Sequence, residues 1–401
     1  MTVKEKRKPG HVLPRTVVAL GFVSFLTDLS SEMIYPLLPL FLSGVLHAGA
    51  VALGLIEGVA ESTAALLKLV SGIWADRTRR RKPLVVAGYS LAGAVRPLVG
   101  LATVWPFVLA IRFLDRIGKG LRTSPRDALI ADATDPSARG RAYGFQRAMD
   151  HAGAVGGPLL AAGLLTLSGV TLRHVFLLSA VPAVVVILVL VWGVPESGAG
   201  RITNARAVRL RGDWQELGNR FHRLLAAILV FTLGNSTDAF LLLGLSQAGV
   251  PAPWVAVLWA LHSGVRMTAA FAGGAIADRY GGRKPMAAGW ILYALVYLGF
   301  GIAASAPVRV SLFMIYGVYY GLTEPAEKAW ISRLVPENLR GTAFGYYNCA
   351  IGIGALPASL LFGFLFQTFG AAAAFGAGAA LAFLAVMLLL TVPPDRPQNL
   401  P

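Results

Sequence analysis

Apolar runs of roughly 20 residues follow one another along this chain with little polar sequence between them. A run of that length crosses the hydrocarbon core of a bilayer as a helix rising 1.5 Å per residue. Backbone N–H and C=O groups facing lipid need partners within their own segment, so such runs are expected to fold as helices. Composition agrees. Of 401 residues, 56% are hydrophobic and 14% are charged, against about 25% charged in a soluble domain. The pattern predicts an all-α membrane protein with twelve spans, six at about 17–46, 51–75, 84–103, 105–126, 141–168 and 171–194. The other six are expected at about 223–247, 253–277, 285–304, 309–333, 341–368 and 371–392.

The formal net charge is +16. Its carriers fall in short bursts between apolar runs, which fits loops against anionic lipid and argues against a nucleic-acid surface. One side collects Lys4, Lys6, Arg7, Lys8 and Arg15, then Arg77, Arg79, Arg80, Arg81 and Lys82. The same side receives Arg201, Arg206, Arg209, Arg211, Arg220 and Arg223, and later Arg279, Arg283 and Lys284. The other side holds only Arg173 and Arg309. This asymmetry predicts a multi-pass protein of the cell inner (plasma) membrane with both termini in the cytoplasm. The basic N-terminus resembles a signal peptide, but the run after it contains Asp28 and Glu32 and lacks a small-residue cleavage site, so a retained first helix is expected.

The chain repeats itself. GIWADRTRRRKP, residues 72–83, returns as GAIADRYGGRKP, residues 274–285, with Asp76 and Asp278 202 positions apart. Pro125 and Pro136 answer Pro325 and Pro336, RGRAYGF at 139–145 answers RGTAFGY at 340–346, and SSE at 30–32 parallels STD at 236–238. Landmarks in order at a nearly constant offset predict a duplicated six-helix unit, an arrangement transporters use. The expected division is a bundle over 1–194, a polar cytoplasmic linker over 195–222, and a second bundle with a short tail over 223–401.

With these residues the chain resembles the major facilitator superfamily across essentially its whole length. The family's signature between helices 2 and 3 is matched by Gly72, Asp76, Arg77, Arg80, Arg81 and Lys82, although Arg79 stands where glycine is usual; the second copy keeps that glycine as Gly281. Arg116 and Gly120 match a helix-4 signature of drug–proton antiporters, with Lys119 where glutamine is common. GAVGGPLLAAG at 153–163, with Gly157 and Pro158, looks like a degenerate form of the exporters' helix-5 run. The resemblance implies two pseudo-symmetric six-helix bundles that rock about a central cavity. It also implies that Gly72, Asp76, Arg77, Arg116, Gly157, Pro158, Asp278 and Arg279 belong to the gating machinery. In that picture Asp76 and Asp278 meet the helix starts near Gly341 and Gly140 in the opposite halves and their positive dipoles. The alternative is that the hinges only fix topology and turn shape.

An ionisable side chain at mid-bilayer costs about 2.5–3.5 kcal/mol on insertion scales, so it faces a cavity or a partner. Ser24, Asp28, Ser31, Glu32 and Tyr35 lie on one face of helix 1. Two carboxylates one turn apart in a low dielectric repel each other, which suits one of them to exchanging a proton. Asp28, Glu32, Asp150 and His151 are therefore the candidates for proton coupling, static ion pairs being the rival reading. Tyr35, Glu57, Arg96, Arg147, Asp238, His262, Arg266, Tyr320 and Glu324 are the candidates for a substrate cavity. For helix 2, with Glu57, Glu61 and Lys68, and helix 4, with Arg112, Asp115, Arg116 and Lys119, a packing salt-bridge network is the competing reading. The lower end of helix 4, with Arg122, Arg126 and Asp127, is expected at the cytoplasmic surface.

Enzyme signatures are absent: there is no phosphate-binding glycine loop followed by Lys-Ser/Thr and no metal-spaced His/Cys cluster. Cys349 is the only cysteine, which excludes an internal disulfide and a four-cysteine metal site. No cofactor is expected, and an ion gradient is left as the energy source. The function expected is proton-coupled efflux of a small organic molecule by a monomer; the alternative is proton-coupled uptake of an organic anion. A membrane enzyme or receptor on the same scaffold would need a catalytic cluster or a soluble domain, and the sequence offers neither.

Overall fold

The computed structural model describes residues 13–77, 81–134, 139–194, 214–336 and 339–393. The described residues form helices and their connections, without strands. In chain order these are α1 (Arg15–Glu32), α2 (Leu38–Gly44), α3 (Ala50–Arg77), α4 (Lys82–Val95), α5 (Trp105–Ala133), α6 (Arg139–Leu165), α7 (Leu172–Leu178) and α8 (Ala180–Gly193). They are followed by α9 (Gly218–Gly234), α10 (Ala239–Gln247), α11 (Ala252–Tyr280), α12 (Arg283–Ile302), α13 (Ala306–Leu334), α14 (Arg340–Phe369) and α15 (Ala371–Leu390).

Several expected spans are interrupted, and two of the breaks fall on the repeated SSE and STD motifs. Helix α1 ends at Glu32, passes through a 3₁₀ turn at Tyr35–Leu37 and resumes as α2. Pro36 and Pro39 each remove a backbone donor there. Helix α9 ends at Gly234, Asn235 takes a non-helical conformation, and α10 starts after Asp238. The Thr237 hydroxyl accepts from the Ala239 N–H at 3.4 Å, the kind of local bond by which Ser, Thr and Asp compete with a helix. The second half of the span expected at 84–103 is likewise a 3₁₀ segment, Arg96–Leu101, opened by Pro97.

Among the described residues, nine helices or helix pairs are long and apolar enough to cross a membrane. Helices α5, α6 and α13 are as long, at 29, 27 and 29 residues, but are not among them. Their polar residues include Arg112, Asp115, Arg116, Lys119, Asp150, Glu324 and Glu327.

The packing pattern is matched in the two parts of the chain. Helix α1 packs on α6 and α8, α3 and α4 on α5, and α4 on α8. In the later part, α9 packs on α14 and α15, α11 and α12 on α13, and α12 on α15. The two parts meet along α3 with α14 and along α6 with α11. Glycines set these seams: a Cβ on Gly54 would strike the Ser359 carbonyl, one on Gly58 would crowd Leu356 at 3.0 Å, and one on Gly363 would lie 2.7 Å from the Ala50 carbonyl. Outward-facing side chains such as Val181, Trp192, Leu295, Ile302 and Met387 are exposed and apolar, as a lipid contact requires.

The hinge at residues 274–285 shows why its glycine is kept. Gly281 ends α11 at φ 77°, ψ 178°, a backbone conformation costly for a side chain with a Cβ. The other hinge falls partly on residues 78–80, which lie outside the described residues, as do the basic N-terminal burst at 1–12 and linker residues 195–213.

Candidate functional site

The two helix breaks face each other across a cavity of about 520 Å³. Helices α1, α3, α5, α9, α11, α13 and α14 supply its walls. Irregular backbone at membrane depth is tolerated where it lines such a space. One end is sealed. Leu38–Leu42 of α2 and Ala239–Leu245 of α10 are buried and pack on one another, and the Val51 N–H donates to the Gln367 side chain at 3.1 Å. Towards the hinge-bearing ends of α3 and α11 the walls open: the side chains of Glu61 on α3 and Glu324 on α13 are 52% and 48% exposed.

The first-half wall carries a chain of ion pairs. Arg112 donates to both oxygens of buried Glu57, at 2.7 and 2.8 Å. Arg96 donates to Asp115 through Nε and Nη2, at 3.1 and 2.8 Å, and through Nη1 to the Thr27 carbonyl and the Ser30 hydroxyl. Arg116 lies 3.5 Å from Glu61 and 4.0 Å from Asp115. Charges this buried are kept by their partners, because removing one leaves the other uncompensated. Asp28 and Glu32 stand apart from the chain. Glu32 accepts from the indole N–H of Trp259 at 2.7 Å, a contact between α1 and α11. Asp28 lines the cavity and, among the described residues, has no ion-pair partner within 4 Å. Small residues seat both carboxylates: a Cβ on Gly157 would lie 2.6 Å from the Leu29 carbonyl and 2.9 Å from Glu32 Cβ, so α6 presses against α1 just behind them.

The second-half wall is aromatic around one carboxylate. Tyr316 and Tyr320 donate to Asp238 at 2.7 and 2.9 Å. Arg266 lies 3.8 Å from Asp238, 3.6 Å from Glu324, and over the Tyr320 ring at 3.6 Å. Buried Glu327 accepts from Tyr347 at 2.6 Å. A second link joins the halves: the Tyr35 hydroxyl meets that of Thr237 at 3.4 Å, and its ring packs on Trp259 at 5.1 Å.

Of the residues singled out from sequence, Asp28, Glu32, Tyr35, Arg96, Arg116, Asp238, Arg266, Tyr320 and Glu324 all line this one cavity. Glu57 sits behind the lining, held by Arg112. His262 is buried outside it, stacked on Phe313 at 4.5 Å and on Tyr316 at 5.5 Å. Asp150 accepts from Gln146 at 2.5 Å, Arg147 on the same helix is 64% exposed, and His151 is half-buried; none of the three lines the cavity. Pro158 is buried within α6, and Arg279 is exposed beside the Tyr280 ring. The surroundings of Gly72, and the side chains of Asp76, Arg77 and Asp278, lie outside the described residues, as do those of the helix starts at Gly140 and Gly341. Arg122, expected at the cytoplasmic surface, is buried in the cavity wall instead, because α5 runs on to Ala133.

Phe231, Asn235, Trp259, Tyr319 and Tyr347 also line it without having been marked by the sequence. Nothing separates Trp259 from an ordinary lipid-facing aromatic in an apolar run. Glu327 did carry a signal: it lies 200 positions after Asp127, the offset of the flanking prolines.

The family model described as Major Facilitator Superfamily matches residues 20–359 and 252–401. An uncharacterised MFS-type transporter of Methanocaldococcus jannaschii is 31% identical over 390 residues, covering 95% of each chain. The multidrug resistance protein MdtH of Yersinia enterocolitica is 26% identical over 352 residues, 86% of this chain and 82% of that one. A solved bacterial homologue of the human lysosomal transporter Spinster, in an inward-facing and unoccupied conformation, superposes with a TM-score of 0.73 at 17% identity, covering 94% of both chains.

Proposed function

The chain belongs to the major facilitator superfamily, and from that premise we propose that it exports a small organic molecule in exchange for protons by alternating access. It is a membrane transporter and not an enzyme. The finer reading has twelve spans in two six-helix bundles, at 1–194 and 223–401, joined by the cytoplasmic linker at 195–222. The matched packing of the two parts supports this division, and so does the fact that α5, α6 and α13 fall short of the apolarity of the other nine while bearing charges. The positive-inside pattern assigns both hinges and both termini to the cytoplasm of a plasma-membrane protein, so the conformation described is open inward.

The observation that carries the proposal is the placement of Asp28 and Glu32. Two carboxylates on one helix line a cavity shared by both halves, outside the ion-pair chain that ties up Glu57, Glu61 and Asp115. A carboxylate free of a fixed cation is able to take and release a proton as the cavity changes sides. Glu32 holds α1 to α11 through Trp259, so loading it with a proton weakens a bond between the halves. Arg116 stands beside this site as the gating residue. The distant MdtH relative supports export.

A second reading is proton-coupled uptake of an organic anion, favoured by the cations crowded on α5. Purified protein in liposomes with an imposed pH gradient, assayed against a substrate panel, separates the two by the direction of accumulation. Asp28→Asn and Glu32→Gln are expected to abolish gradient-driven transport. Full gradient-driven transport in both variants would remove α1 from the coupling.

A further inference from the structure

Pairing the charges around the cavity leaves surplus donors, and they stand together. Arg116, Lys119 and Arg122 recur every three residues on α5, and all three line the cavity. Arg122 is 6% exposed; its guanidinium lies over the Tyr89 ring at 4.3 Å, and its Nη1 is buried without a hydrogen-bond partner. The Nε of Arg116 is also buried and makes no hydrogen bond, its nearest carboxylate oxygen being that of Asp115 at 4.0 Å. Lys119, among the described residues, has no ion pair within 4 Å, although Asp28 lines the same space. Glu61 is engaged with Arg116 and Glu32 with Trp259. Buried guanidinium donors without acceptors are rare and costly. A planar anion such as a carboxylate, or a phosphate, is the group that matches them.

The opposite wall indicates what that anion is attached to. Phe231, Trp259, Tyr319 and Tyr320 face the cavity from the second half. A volume of about 520 Å³ admits a small organic molecule with one or two rings.

We propose that Arg116, Lys119 and Arg122 form the anchoring site for an anionic group, carboxylate or phosphate, of an aromatic or otherwise apolar small molecule. This rests on the reading that the cavity holds the transported molecule. It assigns the anion to α5; of the other cationic cavity candidates, Arg96 and Arg266 are occupied by carboxylates and Arg147 lies outside the cavity.

The test is equilibrium binding to the purified full chain in uncharged detergent micelles without anionic lipid. The probes share one ring system: 2-naphthoate, 2-naphthyl phosphate and 2-naphthylmethylammonium, titrated by calorimetry. The two anions are expected to bind and the ammonium compound not to. Lys119→Gln and Arg122→Gln should each weaken anion binding at least about tenfold, the loss expected for a charge-assisted contact. Arg122→Lys, which keeps the charge, should recover most of the affinity and guards against a folding defect in the neutral variant. Arg220→Gln, on the exposed start of α9, should be unchanged. Preference for the ammonium probe, or unaltered anion binding in both neutral variants, would overturn the site. Because no gradient is applied, failure of the proton-coupling reading appears in the liposome assay and not in this one.

Discussion

Single side chains here divide into those that fix the wall and those free to change partners. Arg112 and Glu57 belong to the first kind, each buried and bound to the other, with Arg112 Nη2 donating to both carboxylate oxygens. Removing one partner from such a pair costs about 3–5 kcal/mol, whereas replacing both by apolar residues is often neutral. Arg112→Leu is therefore expected to lower the melting temperature in detergent by several degrees, and Arg112→Leu with Glu57→Leu to recover most of it. Trp259 is of the second kind. Trp259→Phe keeps the ring but loses the N–H that reaches Glu32, a bond to a charged group with a net worth of about 1.5–3 kcal/mol. The variant should fold normally while its outward-open population rises at least about tenfold, read from spin-label distances across α2 and α10. These two fates explain what the sequence yielded. Asp28, Glu32 and Asp238 were legible because a lone carboxylate in an apolar run demands a reason. Trp259 was not, since an indole in such a run is unremarkable until its partner on another helix is known. His262 was misleading for a related cause: its surroundings turn out to be aromatic rings, and it packs instead of facing the cavity.

Among elements, the breaks between α1 and α2 and between α9 and α10 carry most of the architecture. The repeat SSE/STD was visible as a landmark, but hydropathy scores residues 17–46 as one run because Leu, Ile and Pro continue through the kink. Only the backbone reveals that the serines, threonine and carboxylates mark where the helix stops and the cavity begins. The glycines at the seam make a test of element packing. Gly54→Val would force α3 away from the Ser359 carbonyl of α14 at the sealed end. It should raise the labelling rate of a cysteine placed in α2, with little change in the overall helix content. Gly281→Ala, at a positive φ after α11, should cost about 1–3 kcal/mol, visible as a drop in the unfolding midpoint with transport retained.

For the molecule as a whole, the all-helical membrane fold and the family were readable from pattern, because apolar runs of that length follow from the bilayer as solvent. Which charges neutralise one another was not readable, since α5 draws its partners from α3 and from the 3₁₀ segment after α4, well away along the chain. The anion site on α5 adds an energetic consequence. Moving one negative charge out of an inside-negative cell is favoured by about 2.3 kcal/mol per 100 mV. Export of a monoanion from liposomes should therefore quicken when a valinomycin potential is set negative on the side it leaves, even at equal pH. An unaffected rate would mean that its charge is balanced within the translocated complex.

The poor apolarity of α5 bears finally on how the protein is made. A segment holding Arg112, Asp115, Arg116, Lys119 and Arg122 would enter lipid alone only at great expense. Glu57 on α3 and Arg96 just after α4 are synthesised before it, so both counter-charges already wait in the bilayer when α5 leaves the ribosome. The early spans are therefore expected to act as a docking template for the next, so that synthesis order matters for insertion of α5.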